Sequence, residues 1–530
     1  MDETLRFAQS DKTGTAANGR CGTAECFKTF SICYVRKRNG IMLQSLSVCY
    51  VRKRNGISNT LTTNRGKKMK IPTRTRYRKR IGAFSAVDVK HDESVVSFST
   101  AAEFYNFDMS SGSLRDGYGL ELNKLVPVSS SGYWVYRYYS EEAGRNVDQY
   151  VYQMVTGALR YYDSYTGRTK LISTTSYPPI DALNYRLNGK DVLLMSCEGH
   201  RLLTWDGAAL VEHAETPVIT SMALHYERLF VTSRSDPTKV FFSDDLDPTN
   251  WTASATEGGF IELLDERGEL NKVVSFANYL YIFRDRGISR VTAYADQTEF
   301  SVANLFVSAG RIYPESIAKC GTVITFLASD GLYVFDGYEC RRVLRELDGL
   351  FTERAVACAF HNGKYFLSCV MDFADGRSIG CESVEHTANA LLVFDPVSGE
   401  YSITRGVDIS FLGSCSFDGT DFLMAHDKLS SGVVVRNGMR FNKLLPKRWR
   451  GPMTDFGAPD MTKAVREIYV DSATDCALTV DVGKKTKTKT AAAGSRRVRF
   501  NVAAKRLSLA IDCDASDCNI APPTLVYTSY

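Results

Sequence analysis

From Ile81 onward the chain runs in short apolar stretches of Leu, Val, Tyr and Phe separated by polar turn residues, and helix-length amphipathic patterns are scarce. Such patterning predicts an all-β chain. The recurring unit is an apolar strand, a polar turn, a second strand ending in an aromatic residue, and then Asp-Gly. DVLLMSCEGHRLLTWDG (191–207) and TVITFLASDGLYVFDG (322–337) align strand for strand. Looser copies span 150–163, 228–244, 278–294, 364–369 with 390–403, and 421–438. Their spacing centres on roughly 45 residues, the length of a four-stranded propeller blade. Asp-Gly supplies the positive φ of a tight turn, and a lone hairpin is marginal until neighbours cover its faces. The expected fold is therefore a β-propeller of six or seven blades over residues 131–446, with a pair of packed β-sandwiches as the alternative.

Both flanks read differently from the repeats. Residues 81–130 form an expected extended N-terminal arm with turns at 110–113 and 116–119. At the other end, KRWRGPMTDFG (447–457) reads as a linker. Segments 464–482 and 496–512 then alternate as antiparallel strands, and KKTKTKTAAAGS (484–495) reads as a long polar hairpin loop between them. Residues 447–530 are thus expected to be a small C-terminal β-sandwich. Residues 1–80 are a basic leader expected to be disordered. It carries CYVRKRNGI twice, at 33–41 and 49–57, too few copies for a solenoid.

Composition narrows the class. With 44% apolar, 24% charged and 11% aromatic residues in 530, global disorder, collagen and coiled coil are excluded. No run approaches the ~18 apolar residues of a membrane span. Residues 1–20 are polar throughout, so no secretory signal is readable and folding in a reducing cytosol is expected. The 14 cysteines include no C-x-x-C pair. Cys21/Cys26 and Cys513/Cys518 are the closest pairs outside the duplication, but no nearby His completes a zinc set, and the thiols read as small core hydrophobes.

Charge is segregated along the chain. Residues 26–80 hold 16 Lys/Arg and no Asp/Glu, whereas 81–530 sum to about −10 within a total of +5. Two readings of the leader stand side by side: a basic arm that binds phosphates, and, for residues 1–68, an over-extended reading frame upstream of Met69. The densest cationic run is KKMKIPTRTRYRKR (67–80). Arg74, Arg76, Arg78, Lys79 and Arg80 are its candidate phosphate or partner contacts, and Lys484, Lys485, Lys487 and Lys489 form a second candidate docking loop.

The seven histidines are dispersed, and H-E-x-x-H, G-x-S-x-G and phosphate-loop motifs do not occur. Residues 512–517 begin like a calcium loop but lack its sixth-position Gly, and Pro523 stands at the twelfth. A non-enzymatic chain without cofactor or metal is expected. Ser329-Asp330-Gly331, with Tyr333 and Phe335 behind it, partly resembles a sialidase Asp box but does not repeat. Trp205-Asp206 occurs once, unlike the periodic Trp-Asp of a WD40 protein.

Four longer segments carry a resemblance. FYNFDMSSGSLRDGYGL (104–120), HYERLFVTSRSDPTKVFFSDDLDPTNW (225–251), the run at 308–338 and TDFGAPDMTKAVREIYV (454–470) are similar to tailed-bacteriophage head-to-tail stabilisation and tail tubular proteins, including the nozzle-type tail protein. The most distinctive motif is S-D-x-x-D-P-x-N-W at 243–251, and the likeness covers about residues 81–475. It implies a propeller with added β-domains, assembled as a homo-oligomeric ring that contacts portal, adaptor or other tail proteins. Genomic double-stranded DNA would pass through without sequence-specific binding, in a virion assembled in the bacterial host cytoplasm. The leader at 1–68 has no counterpart in that group. A glycan-binding or glycan-cleaving propeller, or a cellular protein-interaction propeller, are the alternatives.

Overall fold

Asn188-Gly189, Asn362-Gly363 and Asp418-Gly419 each form a two-residue turn between paired strands, with the first residue at φ 49°, 47° and 47°. This left-handed geometry matches the twist of the flanking strands, which is why Asn and Asp followed by Gly recur there. In the computed structural model these turns join the first and second strands of blades. The structure describes residues 30–32, 46–53, 56–62, 68–70, 75–122, 130–254, 257–294, 296–373, 388–429, 433–437 and 445–530. No α-helix occurs among them.

The chain divides into two compact units, Met1–Thr75 and Arg76–Tyr530. In the first, Phe30–Ile32, Leu46–Lys53, Gly56–Thr62 and Lys68–Lys70 pair in sequence order as an antiparallel sheet. The second copy of the duplication spans its central hairpin, with Lys53 opposite Gly56. The expectation of disorder over 1–80 is corrected for these strands and for Arg76–Arg80, which is a strand of the second unit; positions 1–29, 33–45, 54–55, 63–67 and 71–74 lie outside the described residues.

Among the described residues of the second unit, seven four-stranded antiparallel sheets form the blades of a propeller. Blades 1 to 6 span 130–173, 179–212, 221–262, 270–307, 318–343 and 351–405. Blade 7 takes Ile409–Phe417, Thr420–Asp427 and Val433–Asn437 from the end of the array and Tyr118–Leu122 from the arm as its outermost strand. Adding an N-terminal strand to the last blade closes the ring non-covalently. All seven repeat copies read from the sequence fall on the second and third strands of successive blades.

Apolar residues are partitioned by blade interface. Tyr133, Tyr150 and Phe417 pack between blades 7 and 1, and Tyr136, Leu193 and Trp205 between blades 1 and 2. Leu194 and Leu229 join blades 2 and 3, Phe230 and Ile282 blades 3 and 4, Phe283 and Phe326 blades 4 and 5, and Phe366 and Leu412 blades 6 and 7. Between blades 5 and 6 the core is shared, because Leu332, Leu367 and Leu392 belong to one cluster with Trp449, Ile468 and Leu525 of the C-terminal domain. That domain therefore docks on blades 5 and 6. The thiols of Cys197, Cys320 and Cys369 are buried in these layers and burial pushes each up to about 12, as befits small core hydrophobes.

The C-terminal domain is a sandwich of a five-stranded and a four-stranded sheet, and it recruits strands from far upstream. Glu103–Tyr105 pairs with Lys447–Arg450, and Arg76–Arg80 pairs with Thr524–Ser529. Three expectations are corrected here. The segment at 447–457 is not a linker, since Lys447–Arg450 is a central strand with Trp449 fully buried and Arg448 ion-paired to both Glu103 and Asp512. Residues 484–495 are not a long loop, because the turn is confined to 482–485 and Thr486–Ala491 is a strand. The arm is not a separate extended segment, since its pieces complete both the sandwich and blade 7. Asp116 fixes it in place, accepting from Lys447 Nζ at 2.9 Å and from the Cys518 thiol at 2.9 Å.

Candidate anion-binding surface

Alternation decides which basic residues share a face. Across the four-stranded sheet, Arg499 lies opposite Glu467, Glu467 opposite Val526, and Val526 opposite Arg78, so these four side chains stand on one side. The adjacent row runs Val498, Ile468, Leu525 and Lys79, and its first three members are core residues. The Arg78 row therefore faces outward, with Arg76 and Arg80 two residues to either side of it on the edge strand. Arg497 pairs with Glu467, and Arg466 donates to Asn501 Oδ1 at 3.3 Å, which brings both onto the same face.

The result is six arginines around a single carboxylate. Hydrogen bonding from Arg497, then from the Tyr469 hydroxyl, and the charge of Arg76 hold the Glu467 carboxyl below its ordinary value. Among the described residues, Arg76, Arg78, Arg80 and Arg499 form no ion pair. Val526 and Thr528 are nonetheless buried on this outward face.

The expected site residues thus separate into groups. Arg76, Arg78 and Arg80 belong to the face. Lys79 points to the opposite side at the sheet edge, and Arg74 lies outside the described residues. Lys484 and Lys485 occupy the tight turn of the other sheet and are exposed. Lys487 and Lys489 lie opposite Val480 and Leu478, both fully buried, so they sit on the inward side of an edge strand rather than on a shared loop. Sequence reading missed Arg466, Arg497 and Arg499. The alternating Arg497-Val498-Arg499-Phe500 was a usable signal, because it marks a strand with one basic and one apolar face.

Beyond the sandwich, the charge reverses. Residues 447–530 contain 14 Lys/Arg and 9 Asp/Glu, whereas 81–446 contain 32 Lys/Arg and 47 Asp/Glu. One acidic group lies at blades 2 and 3, where burial first and then the carboxylates of Asp247, Asp245 and Glu227 push the Tyr185 hydroxyl up. Tyr185 donates to the Leu246 carbonyl at 2.9 Å. The S-D-x-x-D-P-x-N-W loop builds this rim from internal bonds, with Asn250 donating to Asp244 at 3.1 Å and Trp251 to the Pro248 carbonyl at 2.8 Å.

A cavity of about 650 Å³ is walled by the innermost strands of blades 7, 1 and 2, including Trp134, Tyr138, Asn184, Arg186 and Ser416. Its size suits a small molecule and not a nucleic-acid duplex. Across the inner strands, Asp181 of blade 2 is exposed yet enclosed by protein, and this desolvation raises its carboxyl while the Lys272 ammonium of blade 4 partly offsets the rise. Among the described residues no cluster of three or more His, Cys, Asp or Glu could hold a metal ion.

No protein family and no curated protein matches the sequence. Among solved structures the chain is similar to BBS1N in complex with ARL6DN, in a crystal soaked with lead, at a TM-score of 0.40 and 11% identity, covering 61% of this chain and 97% of that one. The mercury-soaked crystal of the same complex gives a TM-score of 0.38 with the same identity and coverage. The fold here is a β-propeller bearing a β-sandwich, as the sheet order within the chain establishes.

Proposed function

We propose that this chain is a non-enzymatic structural subunit of a phage virion, positioned at the head-to-tail junction or in the tail tube. It forms a homo-oligomeric ring that retains and conducts genomic double-stranded DNA, and it contacts portal, adaptor or other tail proteins. The observation that carries this reading is the segregation of an arginine-faced sandwich from an acidic propeller within one chain. A conduit needs cationic surfaces where subunits grip and a net negative wall where DNA slides, since each neutralised phosphate adds salt-dependent drag. The distinctive 243–251 motif is compatible with the same reading, because bonds among Asp244, Asp247, Thr249, Asn250 and Trp251 fix the loop and present Asp245 at the surface. The test is negative-stain microscopy of the purified chain, alone and with portal complexes. Rings with a central opening support the proposal; particles that stay monomeric in both preparations count against it.

The axial cavity favours one second reading. Trp134, Tyr138 and Tyr185 offer aromatic faces beside Arg186, an arrangement suited to a sugar ring bearing a carboxylate. Turnover or saturable binding of members of a polysaccharide panel by the wild-type protein would replace the structural reading with this one.

A further inference from the structure

Two surfaces of opposite charge lie on parts of the chain that cannot meet each other. The arginine face belongs to the sandwich, which shares its core with blades 5 and 6. The acidic rim of Glu227, Asp245 and Asp247 lies on blade 3, where the Leu246 N–H donates to the Glu227 carbonyl at 3.0 Å and the Leu246 carbonyl accepts from the Tyr185 hydroxyl of blade 2 at 2.9 Å. In a closed ring of seven blades, blades 2 and 3 stand across the propeller from blades 5 and 6. Neither surface can satisfy the other within one molecule.

The chemistry of the two surfaces also matches beyond charge. Arginine presents a planar fork that pairs with carboxylates through two parallel hydrogen bonds, and alternate residues on the Arg76–Arg80 strand are about 6.8 Å apart. Within the arginine face stands the Glu467 carboxylate, to which the Tyr469 hydroxyl donates, so the face is not a continuous sheet of cations. The acidic rim is likewise interrupted, with Leu246 at 64% and Tyr226 at 48% exposure among the carboxylates. A phosphate backbone, anionic along its whole length, would meet Glu467 with like charge, whereas separate carboxylates can pair with the arginines around it.

We propose that the arginine face, with Arg499 and Arg78 on its two outer strands, docks on the Glu227–Asp245–Asp247 rim of a second copy of this chain. The contact is heterologous, because each subunit uses a different surface toward each neighbour, and a heterologous contact closes into a ring or propagates as a filament. The inference rests on the ring reading above and adds to it the surfaces through which neighbours meet.

The experiment measures the assembly state of the full chain by mass photometry and sedimentation, in low and in high NaCl. Wild type should assemble at low salt and weaken at least tenfold at high salt. Arg78→Glu with Arg499→Glu should give monomers of unchanged thermal midpoint, and so should Glu227→Lys with Asp245→Lys. In a mixture of the two double variants the Glu-bearing face of one meets the Lys-bearing rim of the other, and the unaltered arginine face meets the unaltered acidic rim, so the mixture should restore association although neither variant associates with itself. Salt-insensitive assembly, wild-type assembly by either double variant, or failure of the mixture to associate would overturn the docking while leaving a ring intact. A wild-type chain that never assembles would sink both the docking and the ring. Loss of binding to a duplex DNA probe by the Arg78/Arg499 variant, with assembly unchanged, would assign the face to nucleic acid and overturn the proposal.

Discussion

Tyr281 of blade 4 donates its hydroxyl to the main-chain carbonyl of Gly337 in blade 5 at 3.1 Å, and a Cβ added to that glycine would stand 3.0 Å from the same hydroxyl oxygen. The aromatic-Asp-Gly turn is therefore both a hairpin turn and an inter-blade contact. Blade 2 repeats the arrangement, with a Cβ on Gly207 falling 3.3 Å from the Tyr136 ring of blade 1. In both turns the Asp carboxylate accepts from the two amides that follow the Gly, Asp206 from Ala208 and Ala209, and Asp336 from Tyr338 and Glu339.

Gly337→Val and Gly483→Val separate the two roles of such a glycine. Both positions have positive φ, 101° and 82°, so each substitution loses about 1 kcal/mol or more from backbone strain. Gly483 has open space around its Cβ, whereas at Gly337 the new side chain also displaces buried Tyr281, costing about 1–3 kcal/mol more. Urea denaturation should rank Gly337→Val clearly below Gly483→Val. In a double-mutant cycle, Tyr281→Phe should recover part of the Gly337→Val loss by removing the opposing hydroxyl; strict additivity would contradict the inter-blade role.

Truncation distinguishes the leader from the sandwich. A chain beginning at Arg76 keeps the whole second unit, and its thermal midpoint should match that of the full chain. One beginning at Ile81 loses the edge strand paired with Thr524–Ser529 and the stacking of Tyr77 on Tyr527 at 5.5 Å. Differential scanning calorimetry should show a drop of several degrees for the shorter chain only. Equal midpoints would mean that Arg76–Arg80 adds nothing to the sandwich.

The parts of the fold that were legible in the sequence are those in which local pattern and tertiary role coincide. DVLLMSCEGH and TVITFLASDG alternate or run apolar because they form central strands of blades, so their register could be read before the sheets were known. The arm and the sandwich were harder, since their pairing is non-local: Arg76 meets Thr528 and Glu103 meets Arg450 across the length of the chain. Nothing in KRWR marks a buried strand until Glu93, Glu103 and Asp512 arrive to neutralise it. The cationic site was half legible for the same reason. A run such as RTRYRKR is visible in one dimension, but the face it forms with Arg466, Arg497 and Arg499 exists only once three other strands lie beside it.

Acid should weaken the propeller through His225. Its imidazole is buried between blades 3 and 4, hydrogen-bonded through Nδ1 to Ser275 Oγ at 2.9 Å, and burial pushes it down to about 4 from an ordinary 6.5. Between those values the unfolded chain binds the proton and the folded chain does not, so the stability is complete above pH 6.5, declines as pH falls toward 4, and levels off below. The loss from this residue is of order 3 kcal/mol at about 1.36 kcal/mol per unit. Burial lowers His213, His361 and His426 in the same direction. Urea midpoints from pH 7 to pH 4 should show a shallower decline in His225→Gln than in the wild type, and parallel curves would exclude His225 as a contributor.

Lys487 and Lys489 offer the last test, because their place on the inward side of an edge strand gives them a role different from docking. Among the described residues, the strand Thr486–Ala491 ends its five-stranded sheet, with one row of amides and carbonyls facing away from it. Opposite Val480 and Leu478, an apolar pair would extend the core to a flat, sticky edge, whereas two ammonium groups must reach back to water and so bar another strand from adding there. Lys487→Val with Lys489→Ile should therefore leave the monomer folded, with an unchanged or higher thermal midpoint, but should increase light scattering on concentration or gentle heating. Lys484→Ser with Lys485→Ser, on the exposed turn, should leave scattering at the wild-type level. If the apolar pair stays as soluble as the wild type, the two inward lysines do not protect this edge.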